Sequence, residues 1–183
     1  MPIPSGTIAT GRLELVPLRI ADADEMVAVL ADPGLYAFIG GGPPTHDELV
    51  ARFEAQVRGR SPDGREEWHN WVVRERPSGA ATGFVQATVV DVGGAGAGRG
   101  AEIAWLIGVP WQGRGYASEA ARGLVAWLEA AGVRSILAHV HPDHLGSAAV
   151  AERAGLAPTD ELVDGERVWR RIVRASAGTG AAD

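Results

Sequence analysis

The chain has 183 residues, 46% hydrophobic and 22% charged, with a formal net charge of −6 and no cysteine, and every one of its cationic side chains is arginine. That length supports a full core in one domain, and no apolar run approaches the ~20 residues needed to cross a bilayer, so no membrane partner is expected. Without cysteine there are no disulfides, thiolate metal sites or cysteine nucleophile, and an acidic chain without a basic patch argues against nucleic acid while suiting a cationic acceptor such as an amine.

Met1-Pro2-Ile3-Pro4-Ser5 has no basic region before an apolar one, so it does not read as a signal peptide, and a cytoplasmic location is expected. Residues 1–11 read as a loose lead-in, and Arg12 to Arg19 alternates like a strand. Asp22 or Asp24 is placed to cap a helix with apolar positions Met26, Val27, Val29 and Leu30, which Asp32-Pro33-Gly34 stops. The apolar stretch Leu35 to Ile39 runs into the breaker Gly40-Gly41-Gly42-Pro43-Pro44. Thr45-His46-Asp47-Glu48 fits a capping box and opens a second helix, to about Arg58.

Ser61-Pro62-Asp63-Gly64 is a turn, and Trp68 to Arg76 forms a hairpin with about Thr82 to Val92 through Pro77-Ser78-Gly79. Gly93 to Gly100, read as a mobile hairpin tip, leads to a strand over Ala101 to Val109. Tyr116 to Ala131 is a long amphipathic helix with Ala117, Ala120, Leu124, Trp127, Leu128 and Ala131 on one face and Gly132 at its end. A strand over Ile136 to His141 and a short helix over Ser147 to Ala154 follow, then two strands over Leu156 to Leu162 and Arg167 to Val173. Residues 1–174 read as a single domain and residues 175–183 as a disordered tail of small and polar side chains.

The chemistry centres on Gln112-Gly113-Arg114-Gly115-Tyr116-Ala117, between a strand and a helix N-terminus. The first helical N–H groups have no intrahelical partner and lie at the positive end of the dipole, which makes an anion site. Gly113 and Gly115 let a phosphate approach the backbone, and Arg114 adds donors beside it. The dinucleotide motif G-x-G-x-x-G fails at Ser118, and a P-loop fails for want of lysine.

Q-x-x-G-x-A at this turn, with Gly113-Arg114-Gly115-Tyr116-Ala117-Ser118-Glu119-Ala120 matching G-x-G-Y-A-x-E-A, resembles the GNAT superfamily of N-acetyltransferases, closest to the branch of ribosomal-protein N-terminal acetyltransferases. The resemblance covers about Ala101 to Leu156, with strand glutamate, turn, helix, strand, His-Pro-Asp and short helix in order. It implies an α/β (α+β) fold, with a mixed central sheet of about seven strands, a splayed central pair at 101–109 and 136–141, and four helices. It also implies acetyl-CoA as co-substrate and an acceptor that is a small-molecule amine or a protein N-terminus. Dimerisation, common in that branch, is a further expectation.

By the same resemblance the backbone of Ile107, Gly108 and Val109 takes the pantetheine arm and supplies an oxyanion donor, while Gln112, Gly113, Arg114, Gly115, Tyr116, Ala117 and Ser118 hold the pyrophosphate. Glu102, ten residues before Gln112 on the same strand, is the candidate base, with burial expected to tune it. The tyrosine acid of many relatives is missing after Tyr116. Ser147 holds the serine of the N-x-x-S pattern, and His144 stands where its cofactor-contacting asparagine would be. Ser147 and His144 are therefore candidates both for the cofactor and for the leaving thiolate, with helix capping as the alternative for Ser147. His69 is a reserve base, and Tyr36, Phe38, Trp68, His69 and Trp71 are candidate walls of the acceptor cleft. Two alternatives are a CoA-binding protein without turnover and a zinc hydrolase on His139, His141 and His144, whose string fits H-x-H-x-D-H but lacks downstream ligands.

Overall fold

A computed structural model describes residues 3–93 and 98–173. Eight strands form one sheet in the order β1-β2-β3-β4-β5-β6-β8-β7. In chain order the elements are β1 (Ile8–Ala9), β2 (Leu13–Pro17), α1 (Ala23–Val29), α2 (His46–Gln56), β3 (Glu66–Glu75), β4 (Ala81–Val92) and β5 (Gly98–Ile107). They continue with α3 (Tyr116–Ala130), β6 (Val133–Val140), α4 (Leu145–Arg153), β7 (Ala157–Val163) and β8 (Glu166–Ile172). The expected tail, 175–183, and the centre of the glycine tract, 94–97, lie outside the described residues. No helix among the described residues is long and apolar enough to cross a membrane.

The eighth strand is β1, inside the stretch read as a loose lead-in; it pairs antiparallel with β2, Ile8 opposite Leu15. Two residues carry too little pattern to be seen in sequence. The capping box of α2 forms as expected, with Glu48 N–H donating to Thr45 Oγ1 at 3.3 Å and Thr45 N–H to Glu48 Oε2 at 2.8 Å. Asp22 is the N-cap residue of α1 as expected, but its side chain makes no cap bond there: its carboxylate accepts from Arg19 N–H at 2.8 Å and pairs with Arg74 at 3.0 Å.

Helices cover both faces of the sheet. The face under α3 and α4 buries Leu15, Trp71, Val85, Ile103, Ile136 and Val140 against Leu124 and Leu128 of α3. Each fully buried leucine of this kind contributes ~1.5–3 kcal/mol. On the other face α1 and α2 bury Met26, Leu30, Leu49 and Phe53 against Val72 and Ala81. Side chains alternate along each strand, so Trp71 and His69 point to the α3 face and Asn70 to the α1–α2 face.

That alternation corrects the reading of His69 as a cleft residue, while Trp71 sends its ring to the α3 face and still borders the cavity between α2 and the sheet. Both lie under Trp127 of α3, at ring distances of 5.2 Å and 4.9 Å. The segment before β1 seals them: Ser5 Oγ is 2.7 Å from His69 Nδ1, and Trp71 Nε1 donates to the Gly6 carbonyl at 2.9 Å. Among the described residues His69 Nε2 has no hydrogen-bond partner, and it lies 3.5 Å from a Glu67 carboxylate oxygen.

Burial holds His69 below the ordinary imidazole range, against the opposing pull of Glu67. As pH falls from about 6.5, the unfolded chain takes this proton before the folded one. Stability is therefore full above that pH and lost below it, with a slope of up to ~1.4 kcal/mol per pH unit. Thermal unfolding between pH 8 and pH 5 checks this, and His69→Gln should give the flatter curve.

Candidate active site

The sheet opens at its centre. β5 and β6 are parallel and pair only from Arg99 to Glu102 against Val133 to Leu137. Past Glu102 the ladder stops, because β6 goes on pairing with β8 from Ser135 to Val140 while β5 stays with β4 as far as Ile107. The expected splay is there, and Glu102 stands where it begins.

The turn after β5 delivers a row of donors. Gly113 and Gly115 have φ of 74° and 78°, and Gly115 is the left-handed N-cap of α3. Among the described residues, the backbone N–H groups of Gly113, Arg114, Gly115, Tyr116, Ala117 and Ser118 have no hydrogen-bond partner. No heavy atom lies within 4 Å of where a Cβ of Gly113 would stand. An open concave run of N–H groups at a helix N-terminus fits a phosphate.

Three neighbouring positions are already engaged. Gln112 N–H donates to the Val109 carbonyl at 3.2 Å, so the free run starts at Gly113 and not at Gln112. The Gln112 side chain donates from Nε2 to the Ile107 carbonyl at 2.9 Å. Gly108 N–H donates to the Thr82 carbonyl at 2.9 Å. The Ile107 carbonyl and Gly108 N–H are therefore occupied within the chain, whereas the Val109 N–H has no partner among the described residues. Ser118 is buried in the first turn of α3. Tyr116 turns its ring inward, so only its backbone faces the turn, and its hydroxyl donates to the Glu75 carboxylate.

A brace from the chain start fixes this turn. The Arg12 guanidinium lies 4.9 Å from the centre of the Tyr116 ring, donates from Nη1 to the Arg114 carbonyl at 2.9 Å, and pairs through Nε with Glu119 Oε2 at 2.7 Å. Glu119 also accepts from Arg12 N–H at 2.7 Å and from Thr10 Oγ1 at 2.6 Å. Burial alone would push the Glu119 carboxyl up, but the bonds from Thr10 and Arg12 hold it below the ordinary carboxylate range. Glu119→Ala leaves these donors unpaired and should cost about 2–3 kcal/mol. Calorimetry would then read a Tm lower by roughly 4–12 °C.

The sequence model of the acetyltransferase (GNAT) domain family matches residues 12–157. The chain belongs to the GNAT acetyltransferase family. Acetyl-CoA is the family's co-substrate. An acetyltransferase from Agrobacterium tumefaciens is 27% identical, with a TM-score of 0.68 over 93% of this chain and 96% of that one. RimL, a ribosomal-protein alpha-N-acetyltransferase solved with coenzyme A, is 16% identical, with a TM-score of 0.72 over 91% and 98% of the two chains. MccE, a microcin self-immunity acetyltransferase solved with acetyl-CoA and AMP, is 13% identical, with a TM-score of 0.70 over 88% and 93%. These last two share the fold. No curated protein sequence matches.

In this GNAT domain Glu102 lies on the α1–α2 face, 54% exposed, with Oε1 3.3 Å from His139 Nδ1 on β6. The burial expected to tune Glu102 is therefore absent. Alternation puts it on the face opposite His69, which removes His69 as a second base for the same proton.

The start of α4 also differs from expectation. The helix begins at Leu145, and its N-cap is His144, whose Nδ1 accepts from Ser147 N–H at 3.3 Å. Ser147 sits in the first turn and is not the cap. Burial, with His141 nearby, holds His144 below the ordinary imidazole range, so it is neutral at pH 7. With Nδ1 accepting, the proton is on Nε2. Its ring stacks on Phe38 at 4.4 Å, and Phe38 is also 5.3 Å from His141.

This arrangement overturns the zinc reading. His139 turns to Glu102, His141 accepts from Asp143 N–H at 3.2 Å, and His144 caps α4. Among the described residues no three His, Asp or Glu side chains converge on a metal position. Of the expected cleft walls, Trp68 shares the face of Glu102 and donates from Nε1 to Glu66 at 2.8 Å, and Tyr36 donates to the Leu30 carbonyl at 2.9 Å. Sequence reading missed Thr10 and Arg12. Their partner Glu119 was visible in the turn motif, but nothing local says which distant residues answer it.

Proposed function

We propose that this GNAT chain moves an acetyl group from acetyl-CoA to a primary amine by direct attack in a ternary complex. The observation that carries the reading is the run of six unpartnered N–H groups from Gly113 to Ser118 beside a sheet that opens at Glu102. Acetyl-CoA supplies an activated thioester. The N–H groups and Arg114 hold its phosphates, and the Val109 N–H faces the acyl arm. Glu102 takes the proton that the cationic amine must lose before it attacks, directly or through one water. As the C–N bond forms and the C–S bond breaks, His144 Nε2–H or the Ser147 hydroxyl donates a hydrogen bond to the leaving sulfur. A thiol pKa of about 8.5 makes that second demand the lighter one.

Thermal unfolding with and without acetyl-CoA tests the binding half. At about 100 times Kd the ligand adds ~2.7 kcal/mol. That is roughly 5–11 °C in Tm for a domain of this size. Amine-dependent thiol release tests the transfer half, with no protein thiol to give background. A protein that shows neither would end the reading.

A further inference from the structure

Between α2 and the sheet lies a cavity of about 80 Å³, and its chemistry is divided. Leu18, Met26, Leu30, Leu49, Phe53 and Phe84 give it an apolar floor. Its polar lining is Arg52 and Gln56 of α2 and the carboxamides of Asn70 and Gln86 on the sheet. Among the described residues none of these four side chains makes a hydrogen bond or an ion pair. The carboxylate nearest Arg52 along its own helix, Glu48, is bonded to the N–H and hydroxyl of Thr45. Arg52 also borders a wider cleft of about 400 Å³ under residues 40–44, so it stands between the cavity and the solvent.

Register places this cavity beside the proposed base. Asn70 pairs with Gln86, and Gln86 with Ala104. The next row on the same face is Trp68, Thr88 and Glu102. Two residues along a strand are about 7 Å, so the two carboxamides lie one pleat from Glu102. A ligand seated on the apolar floor beside these carboxamides lies one pleat from the base.

We infer that the acceptor is a free α-amino acid with a short branched aliphatic side chain; the inference rests on the transferase reading above. The side chain fills the floor. A cavity of about 150 Å³ takes up benzene, so one of about half that volume suits an aliphatic branch and excludes an aromatic ring. The carboxylate pairs with Arg52, and the carboxamides bridge the carboxylate and the amine. The amino group then faces Glu102, which takes a proton from the ammonium before attack; as the N–C bond forms the C–S bond breaks, and the sulfur leaves as a thiolate hydrogen-bonded by His144 or Ser147. A protein N-terminus offers a neutral amide where the carboxylate would be, and gives Arg52 no ligand carboxylate to pair with.

The test is thiol release from acetyl-CoA with L-valine, L-leucine and L-isoleucine, beside their carboxamides, isobutylamine, L-phenylalanine and a short peptide. The acids should exceed their carboxamides in kcat/KM by about 10- to 100-fold, the worth of a hydrogen bond to a charged group. Arg52→Gln, an exposed change, should erase that preference through KM and leave the acetyl-CoA shift in Tm intact. Carboxamides or the peptide serving as well as the acids, L-phenylalanine serving as well as L-leucine, or a preference that survives Arg52→Gln would overturn the inference and leave the transferase reading standing. Thiol release by none of them would overturn the inference, and the transferase reading would end with it only if the acetyl-CoA shift in Tm were absent as well.

Discussion

Glu102→Gln is expected to lower kcat by about 100-fold or more, while KM for acetyl-CoA and the acetyl-CoA shift in Tm stay at wild-type values. General base catalysis is worth about 10²–10⁴ in rate, and an amide cannot take the proton. Glu102 is exposed and, among the described residues, paired only with His139, so the substitution disturbs no core packing. A pH series separates a base from a structural residue. The variant depends on amine that has already lost its proton in solution, so its rate should climb as pH rises toward the amine's own pKa, and the gap to wild type should narrow. A gap constant across pH would mean that Glu102 acts by shape or charge and not by taking a proton.

The second large effect is expected at the turn. In a variant with both Gly113→Val and Gly115→Val, the acetyl-CoA shift of roughly 5–11 °C should vanish. Both positions have positive φ, which a β-branched residue adopts only at a cost of ~1–2 kcal/mol each. Valine at Gly113 would also fill space now open to the ligand. Relief of the strain would turn N–H groups away from the phosphate, so binding is lost even where the fold survives. Circular dichroism reports the fold, and equilibrium dialysis with acetyl-CoA reports the binding. Binding retained in a folded double variant would move the phosphate site elsewhere.

Much of this molecule is legible along the chain because much of it is local. Thr45 and Glu48 announce α2 three residues apart, and Gly113, Gly115 and the apolar stripe of α3 announce a turn that ends in free N–H groups. Where a residue's work depends on a partner distant in sequence, the reading went wrong or stayed silent. His69 and Trp71 sit on a strand with Asn70, and only its pairing with β4 and its contact with Trp127 decide which of them line a cleft. Ser147 looked like a cap because the imidazole of His144 is an uncommon one. His139, His141 and His144 read as a metal string until each took a different partner. Glu102 was found by its spacing from Gln112, but its exposure was not, since that depends on how far the sheet opens.

The sequence by itself determined the family, the order of the elements from β2 onward, the phosphate turn and the strand that carries the proposed base. These rest on short-range patterns: periodicity, capping, and glycines where φ must be positive. Only the tertiary structure decided that β5 and β6 part at Glu102, that Arg12 and Glu119 brace the turn, and that Arg52, Asn70 and Gln86 surround one cavity. Those facts follow from strand register and from which face each side chain takes, and both are set by pairing between segments dozens of residues apart.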